Sequence, residues 1–321
     1  MNSPRSLCKD HGDATALHSP RWREEDDVPI RGVGENVPFF YSRAGAPMAL
    51  EGSYRGCAAF LMANGPSVSR LDLNPLHRRW VMTLNNGVAT FRGNANCIVD
   101  DPSRFSLSMW LDPTLMKFAP MSHFEKPLWD NRLLHTAVGW EQRWELSKLR
   151  VGDCPNVIGY RRNEKFHAPR WLTEETVNWG NHKQYGGGRS VLLASLRILY
   201  LLGFRKVYLL GVDFEMSETK RYHFNEQRTA SAIRCNMDTY SKLQCWFTEL
   251  QPLFLKAGYI VKNCNPESRL TAFPFHPYDE ALAESGLNLG NPSKERTEGM
   301  YQELKDKQAA AVATAHPASA P

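Results

Sequence analysis

Residues 185–214 read YGGGRSVLLASLRILYLLGFRKVYLLGVDF, and this stretch decides the fold. After its opening glycines, the helix formers of Ser190–Leu202 predict a buried helix that Gly203 ends. The short apolar run Val207–Leu210 predicts a strand covered on both faces. Asp213 stands just past the end of that strand. A buried helix followed by a buried strand predicts a parallel α/β sheet, in which ligands bind at strand carboxyl ends and helix N-termini.

Further apolar runs predict the rest of this sheet. Together with Val207–Leu210, the predicted strands are Cys57–Ala63, Trp80–Leu84, Asn96–Val99 and Tyr259–Val261. An amphipathic pattern over Met237–Ala257 predicts a long helix that is bent at Pro252. Because strand and helix signals alternate, we expect a Rossmann-like α/β fold, with a mostly parallel sheet flanked by helices.

Composition divides the chain into a core and two arms. We predict a poorly ordered N-terminal arm over 1–50, a Rossmann-like domain over 54–290 and a low-complexity C-terminal tail over 291–321. Residues 103–184 are rich in Trp, His, Arg and Pro and interrupt the alternation of strands and helices. We therefore expect an inserted cap subdomain over 103–184.

Charge and cysteine content exclude several protein classes. The 321-residue chain is 42% hydrophobic with a net charge of +5, which fits a folded protein with a mildly basic surface. None of its seven cysteines forms a Cys-x-x-Cys pair, which argues against a disulfide framework or a structural zinc site. The N-terminus has no apolar signal-peptide region, and no apolar run reaches about 18 residues. We expect a cytoplasmic protein without a membrane span.

The first candidate site is the segment Asn64-Gly65-Pro66-Ser67, directly after a predicted strand. Gly65 lets the backbone approach a ligand closely, and Pro66 suits the first turn of a helix. Ser67 and the free amides of that turn can bind an anion. An ordinary strand-to-helix turn would use the same residues. The segment is neither the Gly-x-Gly-x-x-Gly dinucleotide fingerprint nor a P-loop.

Polar residues also stand just past the other predicted strands, at Asn85, Asn86, Asp101, Asp213 and Asn263. Asparagine both donates and accepts hydrogen bonds, which suits a ribose, a base edge or a sugar hydroxyl. Turn conformations favour Asn and Asp as well, so only a shared sheet edge would make these residues a site. Asp101 and Asp213 are the candidates for any Mg²⁺ held through phosphate contacts.

Two further candidates flank the central helix and strand. Gly187, Gly188 and Arg189 precede the helix, where bare amides and a guanidinium suit a phosphate, although a flexible linker would also use glycines. His223 lies about ten residues beyond Asp213. A His on a loop after a strand tip can act as a general base near neutral pH, or can be structural or simply exposed.

Several of these segments resemble a known family. Residues 60–67 (FLMANGPS) are similar to the opening Asn-Gly-Pro-Ser signature of bacterial CMP-sialic-acid-dependent sialyltransferases. Gly187-Gly188 and residues 202–214 (LGFRKVYLLGVDF) resemble the later Ser-Gly and Leu-Gly-Tyr-Lys-Glu-Ile-Tyr-Leu-x-Gly-Ile-Asp-Phe block of that family. Residues 264–268 (CNPES) are similar to its Cys-Pro-Asn-Ser. The 6-hydroxymethylpterin diphosphokinase-like family shares the same blocks more loosely.

The sialyltransferase resemblance implies roles for individual residues. Asn64 and Ser67 would lie against the phosphates or ribose of the nucleotide, and Asn85 or Asn86 would approach the donor. Gly187 and Gly188 would form the turn at the donor. His223 would be the nearest match to the catalytic His that deprotonates the acceptor hydroxyl, although it stands in Tyr-His-Phe rather than Gly-His-Ser.

The leading hypothesis is therefore a glycosyltransferase that uses a CMP-sugar-like donor, an acceptor hydroxyl and His223 as base, without an obligatory metal. The acceptor could be a glycan, a small molecule or a nucleic acid. One alternative is Mg²⁺-dependent transfer of pyrophosphate from ATP to a pterin-like alcohol. Another is a protein that binds or modifies a nucleotide or nucleic acid through Arg and Trp residues of the cap.

Overall fold

The computed structural model describes residues 38–136, 139–163, 166–180, 190–216 and 230–286. Within these ranges, the strands are β1 (Phe40–Tyr41), β2 (Pro47–Met48), β3 (Ala58–Met62), β4 (Val81–Leu84), β5 (Ala95–Cys97), β6 (Met116–Pro120), β7 (Pro127–Thr136), β8 (Gly139–Arg150), β9 (Val157–Tyr160), β10 (Arg162–Asn163), β11 (Val177–Asn178), β12 (Lys206–Leu210) and β13 (Ile260–Asn263). The helices are α1 (Leu107–Leu111), α2 (Val191–Leu202), α3 (Ala230–Lys256) and α4 (Tyr278–Gly286). All predicted strands and both predicted helices are present, although α3 begins earlier than predicted, and Pro252 lies inside it.

A mostly parallel sheet forms the centre of the described chain. Its strand order is β13-β12-β3-β4-β5-β6-β9-β1-β2. The strands from β13 to β9 run parallel, whereas β1 and β2 form an antiparallel edge. This arrangement confirms the predicted α/β fold class. From β3 the chain builds the sheet outward to β9 and then returns to place β12 on the other side of β3. The strand order therefore reverses between β3 and β12, which opens a crevice at their carboxyl ends.

Burial explains why these segments became strands and a helix. All residues of β3 after Ala58, and all residues of β12 after Lys206, are buried. Continuous apolar runs of this kind are typical of parallel strands with both faces covered. The helix α2 packs on the same core through a nearly continuous set of buried side chains. It ends at Gly203, whose φ of +105° lets its amide bond back to the last turn, as predicted.

Arg197 is the charged exception within the apolar helix α2. It is buried, and its guanidinium donates to the carbonyl oxygens of Leu172 (2.9 Å) and Glu174 (2.6 Å). Burial lowers the pKa of Arg197 to about 10, so the side chain remains charged at neutral pH. Because a buried charge needs partners, these bonds tie α2 to residues 172–174 and fix its position on the sheet.

Part of the predicted N-terminal arm is ordered as a sheet edge, so the prediction is wrong for residues 38–50. Phe40 is fully buried, and β1 pairs antiparallel with β9. The strands β1 and β2 have two residues each, which is too short for periodicity to reveal them. Apolar aromatic side chains and tertiary pairing create this edge. The remainder of the arm, and the predicted tail 291–321, lie outside the described residues.

The predicted cap over 103–184 is not a separate layer between sheet strands. This region contributes β6 and β9, two strands of the central sheet. The insertion between them is a long antiparallel hairpin of β7 and β8, which we call the ribbon. The prediction failed because β6 and β9 are short and lie among Trp-rich segments. Several of those tryptophans, including Trp110 and Trp171, are fully buried core residues rather than cap residues.

The described residues contain six of the seven cysteines, and all six are free thiols. Burial raises the pKa of Cys97 and of Cys264 to about 12, so both stay protonated at neutral pH. In the ranges that the structure covers, no helix combines the length and apolar character needed to cross a bilayer.

Candidate active site

A cleft opens where the strand order reverses, at the carboxyl edge of the sheet. It encloses about 660 Å³ of empty space, including open solvent at its mouth. Its walls are residues 63–66 after β3, 84–85 after β4, 190–192 at the start of α2, 211–216 after β12, and Tyr240 of α3. Cofactor and substrate clefts of α/β sheets lie at this place. Segments far apart in sequence thus converge on one pocket.

Asp213 ties the two central loops of this cleft together. Its carboxylate accepts hydrogen bonds from the Ser67 amide (2.9 Å), the Ser67 hydroxyl and the Asn265 side-chain amide (2.8 Å). We call these three residues the Asp213 network. The sequence predicted that the amide and hydroxyl of Ser67 bind a ligand anion. In the structure, both groups donate to the carboxylate of Asp213. Asp213 lines the cleft and Ser67 does not, and the bonds between them hold together the loops that a ligand would contact.

Gly65 makes this close approach of the loops feasible. Its amide donates to the carbonyl oxygen of Gly211 (2.8 Å). A Cβ atom on Gly65 would collide with that same oxygen and would lie 2.5 Å from the Asp213 carboxylate. Gly65 therefore allows a close backbone approach, as predicted, but the approaching group is the loop at Gly211 and Asp213.

Asn85 lines the cleft, but its polar groups form hydrogen bonds with residues of β5 and of the segment that follows it. Its side chain accepts from the Val99 amide (3.2 Å) and donates to Asp100 (3.2 Å). Its carbonyl oxygen accepts from buried Asn96 (3.1 Å), which in turn accepts from Thr83 (3.0 Å). We call Asn85, Asp100, Asn96 and Thr83 the Asn85 network. The backbone φ of Asn85 is +46°, which asparagine tolerates better than most residues.

Two predicted site residues lie away from the cleft. Asn86 is in the 3-10 turn Asn85–Ala89 and is not part of the cleft wall. Asp101 caps the next turn, accepting from the amide (3.0 Å) and the hydroxyl (2.7 Å) of Ser103. Burial acts to raise the pKa of the Asp101 carboxyl, but these bonds and the charge of Lys126 lower it overall. Among the described residues, no group of three or more acidic, His or Cys side chains is arranged to hold a metal.

Asn64 belongs to the cleft wall, but its side-chain oxygen is buried against Gly87. Its side-chain amide donates to the Leu84 carbonyl oxygen (3.4 Å), whereas its buried Oδ1 has no hydrogen-bond partner in the described chain. Gly87 leaves room for this oxygen, since a Cβ atom there would lie 2.7 Å from it. A buried acceptor without a donor is costly, so a donor that reaches this oxygen would stabilise the folded chain.

The N-terminus of α2 opens into the same cleft. Ser190 caps the helix by accepting from the Leu192 amide (3.1 Å), and its own amide donates to the Trp179 carbonyl oxygen (2.6 Å). The free amides and dipole of a helix N-terminus favour a bound anion. The preceding candidates Gly187, Gly188 and Arg189 lie outside the described residues, as does His223.

An aromatic pair that sequence analysis did not assign forms one wall of the cleft. Phe214 stacks on Tyr240 with ring centroids 4.9 Å apart and 21° between ring planes. Phe214 also has a φ of +54°, which is unusual for a bulky residue. Strained backbone of this kind often occurs at ligand sites. The signal in the sequence was the position of Phe214 directly after Asp213; Tyr240 could be found only through the fold.

The comparisons with known proteins give one distant likeness. No protein-family model matches the chain, and no curated protein matches it. A solved structure, the MAf glycosyltransferase from Magnetospirillum magneticum AMB-1, aligns over 79% of this chain with 11% sequence identity and a TM-score of 0.37. This chain covers 39% of the length of that protein. A likeness at this level leaves the activity to be inferred from the cleft itself.

Proposed function

We propose that this protein is a transferase that binds a nucleotide-activated donor in the cleft, and that the transferred group is a glycosyl group. One observation carries the proposal: the cleft lies at the carboxyl ends of β3 and β12, where the strand order reverses, and the N-terminus of α2 faces it. Nucleotides bind at such reversal points in α/β sheets, with phosphate at a helix N-terminus.

The walls of the cleft suit the parts of a nucleotide. The Val191 amide and the dipole at the N-terminus of α2 favour the phosphate. The unpartnered Oδ1 of Asn64 can accept from a ribose or sugar hydroxyl. The ring pair of Phe214 and Tyr240 offers an apolar face for a base. The Asp213 network contributes no direct ligand contact in this proposal but holds the two loops in place.

The proposed reaction is a direct displacement. The acceptor oxygen bonds to the anomeric carbon while the bond from that carbon to the donor phosphate oxygen breaks, and the electron pair stays on the phosphate. The acceptor proton passes to a base, for which His223 is the sequence-based candidate. The N-terminus of α2 stabilises the negative charge that develops on the leaving nucleotide.

A thermal-shift panel tests the donor class. The chain is titrated with CMP, UDP, GDP, ATP and pterin, each with and without Mg²⁺. We expect stabilisation by CMP without metal, since a ligand at 100 times its Kd adds about 2.7 kcal/mol to the free energy of unfolding. Stabilisation by ATP only with Mg²⁺ would instead support pyrophosphoryl transfer, and no response to any nucleotide would contradict the proposal.

A variant at Asn64 tests the placement of the ligand. In Asn64→Ala the acceptor for a ligand hydroxyl is lost, and we expect nucleotide affinity to fall about threefold to tenfold. The matched control is Asn74→Ala, an exposed asparagine in another turn that bonds Asp72. Calorimetric titration measures both affinities. Equal affinities for the two variants would remove Asn64 from the site.

A further inference from the structure

In the described part of the chain, no third strand pairs with either strand of the ribbon. β7 has 10 residues and β8 has 12, and in the described part of the chain these strands pair only with each other. The base of the ribbon joins the core, where Leu128 is fully buried. A two-stranded hairpin is marginally stable in water unless more strands or a packed layer cover it. A long open edge is also a template for pairing with another chain.

The ribbon also exposes large apolar side chains on one face. Trp129 is 37% exposed, Trp144 53% and Leu146 58%. Trp129 lies directly opposite Leu146, and Trp144 follows two residues along from Leu146, so all three point to the same side. Exposed aromatic clusters on a projecting element are typical of interaction surfaces.

The order of charges along β8 fits pairing with a second copy of itself. In an antiparallel pair about a two-fold axis on Trp144, Trp144 faces Trp144 of the second copy. Arg143 then lies opposite Glu145 of the second copy, and Glu145 lies opposite its Arg143. Two attractive charge pairs therefore flank an aromatic pair at the axis, and each such cross-strand pair is stabilising.

Neighbouring registers are less favourable. With the axis on Arg143, that residue lies opposite Arg143 of the second copy, and Glu141 lies opposite Glu145. With the axis on Glu145, the two copies of Glu145 lie opposite each other. Like charges directly opposite each other destabilise a strand pair. An axis on Gln142 pairs Glu141 with Arg143 but overlaps only residues 139–145. The axis on Trp144 overlaps 139–149, almost the whole of β8.

We propose that the protein forms a homodimer in which the β8 edges of two copies pair antiparallel about a two-fold axis at Trp144. Two two-stranded ribbons then form one four-stranded sheet, which removes one open edge from each copy. A 12-residue strand offers about 40 Å of edge. An interface limited to this edge is smaller than a standard one, so the dimer dissociates on dilution. This proposal does not depend on the proposed transferase function.

Charge reversal on β8 tests the dimer. Sedimentation velocity of the full chain over about 1 to 300 μM measures the monomer–dimer equilibrium. Arg143→Glu alone and Glu145→Arg alone each place like charges opposite each other twice, and we expect dimerisation to weaken about tenfold or more. The double variant Arg143→Glu/Glu145→Arg restores opposite pairs and the dimer. An equimolar mixture of the two single variants forms a heterodimer, because the charges then match across the axis.

The control is Lys148→Glu, which makes a charge change of the same size on the same strand, opposite Trp140 of the second copy. It leaves dimerisation within about threefold of the original. Circular dichroism confirms that each variant is folded. A chain that stays monomeric at 300 μM overturns the proposal, as does a dimer that both single reversals leave intact. A monomer that uses the ribbon to bind nucleic acid or another protein overturns it equally.

Discussion

The Asp213 network and the Asn85 network occupy the same sheet edge but differ in what they hold. The Asp213 network joins loops from β12, β3 and β13 through one carboxylate with three donors. The Asn85 network joins β4 to the chain after β5 mainly through neutral amide and hydroxyl groups, with Asp100 at its outer end. Each is centred on a residue that the sequence predicts to be a polar strand tip, Asp213 in one network and Asn85 in the other. Asp213 and Asn85 both line the cleft, but only the Asp213 network joins the loops that follow β3 and β12, between which the strand order reverses.

This difference separates two meanings of a polar strand tip. In the Asn85 network, the polar groups satisfy the backbone where the strands end, as buried polar groups must. In the Asp213 network, a charge and a glycine contact hold two cleft loops at a fixed separation. Mutations in the Asn85 network are therefore expected to lower stability. Mutations in the Asp213 network are expected to lower both stability and nucleotide binding.

Gly65→Ala is expected to break the Asp213 network most severely. The new Cβ would collide with the Gly211 carbonyl oxygen and the Asp213 carboxylate, both of which are fixed by hydrogen bonds. We expect a loss of about 3 kcal/mol or more in the free energy of unfolding, measured by urea denaturation. The control is Gly56→Ala, where φ is +81° and no atom lies within 4 Å of the added Cβ. It should cost about 1 kcal/mol, and an equal loss in both variants would contradict the contact argument.

Asp213→Ala tests the carboxylate itself. The change leaves the amide and hydroxyl of Ser67 and the side chain of Asn265 without their acceptor. We expect the free energy of unfolding to fall by about 2 to 3 kcal/mol. Asp279→Ala, at the exposed first turn of α4, is the control and should lose less than about 1 kcal/mol. If nucleotide affinity is unchanged in a folded Asp213→Ala protein, the network does not shape the cleft.

Thr83→Val probes the Asn85 network with little change of shape. Thr83 is fully buried and donates to Asn96 (3.0 Å), so valine leaves a buried amide oxygen without that donor. We expect a loss of about 1.5 kcal/mol in urea denaturation and little change in nucleotide affinity. The exposed Thr90→Val serves as control. A marked loss of nucleotide binding in Thr83→Val would show that the Asn85 network also belongs to the site.

His123 extends the comparison to the next strand tip, in the 3-10 turn after β6. Both ring nitrogens are buried without a hydrogen-bond partner in the described chain. Burial, and then the charges of Arg162 and Lys126, hold the pKa of His123 well below its usual value, with Asp101 opposing them. The unfolded chain therefore takes up a proton below about pH 6.5 that the folded chain does not, so stability falls as the pH is lowered.

We expect this protonation to cost about 1 kcal/mol between pH 6.5 and 5.5. His123→Phe should flatten the pH dependence of the free energy of unfolding in this window. The exposed His77→Phe should leave the dependence as it is. An identical pH profile in the original protein and in His123→Phe would show that His123 is not the source.

The parts that sequence reasoning found share a local signature. Apolar runs between glycines and asparagines located β3, β4, β12 and β13. Both faces are buried along most of β3, β4 and β12, whereas the edge strand β13 is buried on one face. The same reasoning missed the short edge strands β1 and β2 and placed β6 and β9 in a cap. Two-residue strands have no period to read, and a Trp-rich segment does not reveal which rings are buried. Of the predicted site, Asn64, Gly65, Pro66, Asn85 and Asp213 meet at the cleft.

The amino-acid sequence by itself determined the α/β class, the central helix and strand, and the loops at which a ligand would bind. These follow from local burial patterns and from the glycines that end each element. Only the tertiary structure decided that Ser67 bonds Asp213, that Tyr240 faces the cleft and that β7 and β8 pair as a ribbon outside the central sheet. The reason is physical: a side chain's partner depends on which distant strands pair, and pairing is a property of the folded chain.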